Sequence, residues 1–142
     1  MLHLVLILPE LGLMGALLGF DPHALLRPLC SGPPTRRGDG TAYPLALKPG
    51  VRLATKPFPL GGASAELGFD LLHDGRVVIT LPSLAPTFIG DRIATALPGR
   101  VEGPKYGIRD GVPGAYYVLA LRKGDRFQVP LQVVTIAVEV VG

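Results

Sequence analysis

The first twenty residues most narrowly limit what this chain can fold into. They carry a single charged side chain, Glu10, and are otherwise almost wholly apolar. Exposing such a continuous stretch to water is unfavourable, so it must be buried in the fold, in another protein or in a membrane. A secretory signal begins with Lys or Arg, and neither precedes Arg27, so removal of this segment as a signal peptide is not expected.

The sequence of this segment allows two structures. A membrane-spanning helix requires about 20 uninterrupted apolar residues, and Pro9 and Glu10 interrupt this stretch near its middle. We therefore predict a fully buried strand over residues 2–8, followed by a helix from Pro9 to about Leu18. Anchoring of residues 1–20 in or on a membrane is the alternative.

A second short helix is predicted to begin after Asp21. Asp21 is a favourable N-cap residue, and Pro22 suits the first position of a helix. Pro28 and Gly32 are expected to end this helix. Residues 1–30 are thus predicted to form an apolar docking segment made of a strand and short helices.

The rest of the chain favours β-structure. Residues 31–43 contain two adjacent prolines and three glycines, which predicts a loop. Residues 44–142 are predicted to form a β-rich domain, in which short apolar runs alternate with turn residues. The expected strands cover residues 45–48, 51–55, 65–72, 76–81, 93–97, 106–109, 115–122 and 127–141. Such spacing predicts a mainly β fold, an antiparallel β-sandwich or barrel preceded by the partly helical segment.

Two turns and one strand can be predicted in more detail. His73-Asp74-Gly75 is expected to form a hairpin with a type I′ turn, and Lys123-Gly124-Asp125 a second hairpin. Residues 133–141 are strongly β-prone and carry one charge, so they must form a central strand or dock on another chain. Pro130 cannot donate to a sheet ladder, so the strand should bulge or begin anew there.

Composition favours an interacting protein over several other classes. Charged residues make up 18% of the 142 residues, below the roughly 25% of average domains, so spare apolar surface is expected to face a partner. The basic residues are scattered, which disfavours nucleic-acid binding. Cys30 is the only cysteine, so no internal disulfide can form. The absence of asparagine together with 15 prolines is typical of heat-adapted proteins.

No pattern for catalysis or cofactor binding is found in the sequence. The three histidines lack metal-ligand spacing, and residues 62–66 lack the second glycine of a nucleophile elbow. No phosphate-binding loop is present, and Arg37-Gly38-Asp39 reads as a chance tripeptide in a turn. We expect no catalytic residue, cofactor or metal.

The predicted function is that of a structural subunit in a larger multi-protein assembly, as a homo- or hetero-oligomer. A virion component fits best, such as a capsid decoration (cement) protein or a tail or connector subunit, located in a virion or a cytoplasmic assembly. The alternatives are a membrane-associated accessory subunit and a small-molecule-binding β-barrel. The residues expected at the interface are Leu4, Leu6, Leu13, Leu17, Phe20, Tyr116, Tyr117, Val134, Ile136 and Val138.

Overall fold

The computed structural model describes residues 1–11, 18–60, 62–82, 87–109, 111–131 and 134–142, with the side chains of 87–89 and 109 excluded. Within these residues the helices are α1 (Pro22–Leu26), continued by a 3-10 turn (Arg27–Leu29), and α2 (Thr87–Ala96). The strands are β1 (Leu2–Pro9), β2 (Thr35–Arg37), β3 (Gly40–Leu47), β4 (Arg52–Ala54), β5 (Phe58–Leu60), β6 (Ala63–Ala65), β7 (Gly68–Leu71), β8 (Val77–Pro82), β9 (Val101–Arg109), β10 (Val112–Leu119), β11 (Arg126–Leu131) and β12 (Val134–Val140).

The strands form two five-stranded antiparallel sheets and a small hairpin. The first sheet has the order β11-β12-β1-β3-β2, the second the order β4-β7-β8-β10-β9, and β5 pairs with β6. Their inward-facing side chains join in one hydrophobic cluster. The predicted mainly β, antiparallel fold is therefore confirmed, in a sandwich-like arrangement.

The apolar start of the chain is the middle strand of the first sheet. β1 pairs with β12 on one side and β3 on the other, so that Leu6 lies opposite both Val138 and Tyr43. Side chains alternate between the two faces of a strand, and the inward ones, Leu4, Leu6 and Leu8, are fully buried. The predicted strand is confirmed. The docking role predicted for its leucines is wrong, because this chain's own sheets bury them.

The helix predicted to begin at Pro9 does not begin there. Pro9 is the last residue of β1, and Glu10 and Leu11 have no regular structure. Residues 12–17, which would have formed the body of that helix, lie outside the described residues. The next helix was predicted correctly, since Asp21 caps α1 by accepting a hydrogen bond from the His23 N–H at 3.0 Å.

The predicted loop at residues 31–43 is in large part a hairpin. Thr35–Arg37 pairs with Gly40–Ala42 as β2 and the start of β3. Gly38 has φ +60°, a conformation that glycine adopts readily, and this permits the two-residue turn. Composition alone misled here, because the same residues that favour loops also favour tight hairpin turns.

The strand predicted at residues 93–97 is a helix instead. Ile93 and Leu97 are both buried, and their spacing of four residues places them on one side of α2 and its last turn. Gly99 follows with φ +73°, in the position where helices commonly end. A short apolar run fits the periodicity of a strand or of a helix, and here packing against the rest of the fold selects the helix.

Other strand boundaries also differ from the prediction. Residues 65–72 divide between β6 and β7, residues 127–141 divide into β11 and β12, and β5 was not predicted. Pro130 lies within β11, where its ladder partner is Thr135 of β12. Because β11 ends the sheet, the missing donor of Pro130 is tolerated there.

The two predicted turns have different outcomes. The hairpin at residues 73–75 is confirmed, but its loop has three residues. The Leu72 N–H donates to the Arg76 carbonyl oxygen, the Gly75 N–H donates to the Leu72 carbonyl oxygen, and Gly75 has φ +90°. The turn at Lys123-Gly124-Asp125 is not a hairpin, because it connects β10 of the second sheet to β11 of the first. The segment between β10 and β11 therefore crosses from one sheet to the other, and side-chain contacts must hold it in place at this crossing.

Asp125 makes these contacts. Its carboxylate accepts hydrogen bonds from the Arg100 guanidinium at 2.6 and 3.0 Å and from the Arg122 N–H at 2.7 Å. The hydrogen bond from Arg100 is the main reason that the pKa of Asp125 is lowered, and burial opposes it only partly. The crossing is thus fixed by an ionised carboxylate.

Asp125→Asn should make the stability of the protein less sensitive to acid. A carboxyl whose folded-state pKa is lowered stabilises the fold above its unfolded pKa of about 3.9, and this is lost as the pH falls through the folded-state pKa. We expect the free energy of unfolding of the variant to be about 1 kcal/mol lower than that of the wild type at pH 7. This difference should disappear below pH ~4. Urea denaturation across pH measures this. Asp39→Asn, in an exposed turn, is the control, and a gap that persists in acid would contradict the assignment.

Candidate interaction surface

β9 is the long free edge of the second sheet. It has nine residues, and among the residues that the structure describes it pairs only with β10. The opposite edge of that sheet, β4, and one edge of the first sheet, β2, have three residues each. The other edge of the first sheet, β11, lies against α2. α2 also contacts β9 and shares a cavity with Val101, Gly103 and Pro104, so the part of this edge to which another strand can bind is its second half, residues 105–109.

Two large apolar side chains of β9 are exposed. Tyr106 is 65% and Ile108 is 76% exposed. Tyr106 lies opposite Ala115, which faces the core, so the side chain of Tyr106 lies on the core side of the sheet, just beyond the core. Pro113, opposite Ile108, is exposed as well. Tyr106, Ile108 and Pro113 form an apolar patch at the edge of the sandwich, which we name the β9 rim.

Tyr116 and Tyr117 face opposite sides of β10, as side-chain alternation predicts. Tyr117 is 5% exposed and lies beneath α2, against Gly90. Its pKa is raised, mainly because burial disfavours the phenolate and secondarily because Tyr106 and Asp91 lie near it. Tyr116 is half-buried, with its ring beside Gly107. Tyr116 therefore covers a glycine of the edge strand on the side away from the core.

The other predicted interface residues do not form a surface. Val134, Ile136 and Val138 are between 1% and 2% exposed, and Leu4 and Leu6 are fully buried. The structure corrects these five predictions, since a partner cannot reach side chains that fill the core. Tyr117 is buried likewise. Phe20 is half-buried and packs on Phe58 with ring centroids 4.8 Å apart, and Leu13 and Leu17 lie outside the described residues.

An open groove lies between α2 and the outward face of the first sheet. It encloses about 660 Å³, with Arg92 and Ala96 on the helix side and Arg126 and Ala137 on the sheet side. Glu139 also lines it, but its carboxylate is already engaged by Arg37 at 3.1 Å and by Arg126 at 3.3 Å.

The interior offers less space. The gap among Phe20, Leu25 and Phe58 measures about 10 Å³, which is about the space that one water needs. That gap cannot hold the ligand of a small-molecule-binding barrel.

Two polar contacts lie in the interior, whereas the buried Thr80 hydroxyl has no hydrogen-bond partner among the described residues. Glu66, 5% exposed, binds Arg52, whose guanidinium also lies 3.5 Å from Asp70. His23 Nδ1 contacts the hydroxyl of buried Tyr43. These contacts stabilise the fold.

Cys30 is a poor nucleophile. Burial raises the pKa of its thiol, although Arg27 opposes the shift. Its Sγ lies 3.7 Å from the carbonyl oxygen of Leu26. Among the described residues, no three His, Cys, Asp or Glu side chains are grouped so that they could hold a metal ion. In the same residues, no helix has the length and apolarity needed to cross a bilayer.

Comparison with known proteins gives no relative: no family model, no curated protein and no solved structure matches this chain. The β9 rim is thus identified by its geometry alone. Sequence reasoning predicted a strand at residues 106–109 but not its edge position, which depends on the order of strands in the sheet. The one available signal was the pair of apolar residues at alternate positions in a strand with few other apolar side chains.

Proposed function

We propose that this chain is a structural subunit that binds a neighbouring protein in a larger assembly through the β9 rim. The observation that carries the proposal is the exposure of Tyr106 and Ile108 on β9, which ends the second sheet. Soluble proteins usually blunt such an edge with charge, proline or a covering element. Pro104 and Lys105 blunt one part of β9, and the two exposed apolar residues follow directly.

The chemistry of the remaining surface supports binding over catalysis. The ionic groups of the core are engaged in pairs that stabilise the fold, while the rim combines apolar side chains with unpaired backbone. Aromatic residues and isoleucine at an exposed rim suit a contact that is buried only when a partner is present.

A virion is the assembly that we propose for this subunit, in which it would act as a capsid decoration, tail or connector protein. Small β-rich domains that pack into a repeating lattice fit that role, with copies of this chain or other proteins as neighbours. The scarcity of thermolabile residues and the 15 prolines support a heat-adapted source.

Charged substitutions at the rim test this proposal. The double variant Tyr106→Lys, Ile108→Lys should remain folded, because both side chains are exposed. It should no longer bind to the assembly. The measurement is the mass of the complex that contains the tagged chain, isolated from cells of its source. We expect the wild type in a complex of defined mass and the double variant as a free chain of 15.0 kDa.

Val51→Lys is the matched control, because Val51 is 50% exposed and lies away from the rim. It should assemble like the wild type. Circular dichroism checks that all three proteins are folded. A wild type that stays a free chain in its own cells, or a double variant that assembles normally, would disprove the proposal.

A further inference from the structure

We infer that the partner of β9 is an antiparallel strand in which apolar residues alternate with acidic ones. This inference rests on the proposed function and adds to it the chemistry of the partner. It draws on three properties of β9, namely its free backbone groups, the face that its apolar residues share, and its charge.

The backbone groups that face outward belong to Tyr106 and Ile108. Arg109 lies opposite Val112, so the β9–β10 hairpin is closed across a two-residue loop, and the closing pair of such a hairpin is hydrogen-bonded. Hydrogen-bonded pairs alternate with non-hydrogen-bonded ones along an antiparallel ladder. Positions 105, 107 and 109 therefore bond to β10, while positions 106 and 108 present their N–H and C=O groups to the free edge.

An added strand would be aligned by these same residues. Its hydrogen-bonded positions would lie opposite Tyr106 and Ile108, with side chains on the face that carries the apolar β9 rim. Apolar residues at those positions would cover the rim. Pro104 has no N–H to donate, so the ladder of donors from β9 would begin at Tyr106.

The opposite face of β9 sets the charge of the intervening residues. Lys105 lies on that face, two positions before Gly107. Lys105 is exposed, and the ring of Tyr116 lies beside Gly107 on the same face. An acidic residue of the partner opposite Lys105 would pair with it, and a basic residue there would be repelled.

The same charge disfavours a second copy of β9 as the partner. In an antiparallel self-pairing, outward-facing residues must oppose outward-facing residues. The register centred on Tyr106 places Lys105 diagonally across from Lys105 of the other copy. Like charges in those positions destabilise the pairing, so β9 discriminates against itself and in favour of an acidic strand.

Three synthetic nine-residue peptides test this inference. The first alternates valine and glutamate, the second alternates valine and lysine, and the third is the first with N-methyl groups on the amides of its valines. Binding to the isolated chain is measured by calorimetry, and the contact is located from the amide NMR shifts of Tyr106 and Ile108. We expect the glutamate peptide to bind at least tenfold more tightly than the lysine peptide, and the methylated peptide not to bind.

The outcomes separate this inference from the proposed function. Equal affinities of the glutamate and lysine peptides, undiminished binding of the methylated peptide, or shifts confined to the groove beside α2 would overturn the inference. So would an absence of binding by the glutamate peptide. Any of these results, together with loss of assembly in the Tyr106→Lys, Ile108→Lys variant, would leave the proposed function standing with a different partner chemistry.

Discussion

Deletion of residues 1–9 should leave a chain that does not fold. β1 lies between β12 and β3, so its removal breaks the first sheet into two separate pieces. Burial of Leu4, Leu6 and Leu8 contributes about 6 kcal/mol, and the total stability of a domain is only about 5–15 kcal/mol. The deletion also exposes the inner edges of β3 and β12, which favours aggregation. Circular dichroism and amide NMR dispersion after refolding measure the result.

Two single substitutions within β1 provide the control for this deletion. Leu6→Ala removes a fully buried side chain and should cost about 3 kcal/mol. Val5→Ala changes the adjacent, half-buried residue on the outer face and should cost about 1 kcal/mol or less. A deletion variant that keeps a dispersed spectrum but fails to assemble would show that the segment is a docking arm, as the sequence suggested, and would contradict the structure.

Gly90→Ala should destabilise the protein by about 2 kcal/mol, because the added methyl group would crowd the buried ring of Tyr117. In an exposed helix the same change stabilises by up to about 1 kcal/mol, so the sign of the effect is diagnostic. A Cβ atom at position 90 would overlap the Tyr117 hydroxyl and lie 2.6 Å from its Cζ. Tyr117 is buried beneath α2 and lines a cavity beside Gly90 and Gly103, so its ring must shift toward that cavity to relieve the overlap. Urea denaturation gives the free energy of unfolding.

The control for this substitution is Gly32→Ala. No atom lies within 4 Å of the Cβ that it would add, so its effect on the free energy of unfolding should be within about 0.5 kcal/mol. Adding Tyr117→Phe to Gly90→Ala removes the nearest atom of the clash and should recover part of the loss. If Gly90→Ala stabilises the protein, then α2 does not pack on Tyr117 as described.

The sequence predicted those elements whose signal is local. The buried strand at residues 2–8 follows from its leucines, the cap of α1 from Asp21-Pro22, and the opposite orientations of Tyr116 and Tyr117 from strand geometry. Each depends on a few neighbouring residues and on no distant contact. The structure bears out all three.

The errors have a common cause, which is that pairing between distant segments decides them. The run at residues 93–97 fits a strand or a helix, and contact with β11 selects the helix. The first strand looked like a docking arm because its partners, β3 and β12, are distant in sequence. Tyr106 and Ile108 are exposed because β9 is the last strand of its sheet. The order of strands in a sheet cannot be predicted from a local sequence pattern.

Amide hydrogen exchange of the isolated wild-type chain tests most directly whether the apolar start is core and β9 is the free edge. We predict that the amides of Leu4, Leu6 and Leu8 exchange only through global unfolding, as slowly as those of Ile136 and Val138. The amides of Tyr106 and Ile108 should exchange faster by several orders of magnitude, because they bond to no neighbouring strand. Rapid exchange in β1, or strong protection at Tyr106 and Ile108, would contradict this assignment of core and edge.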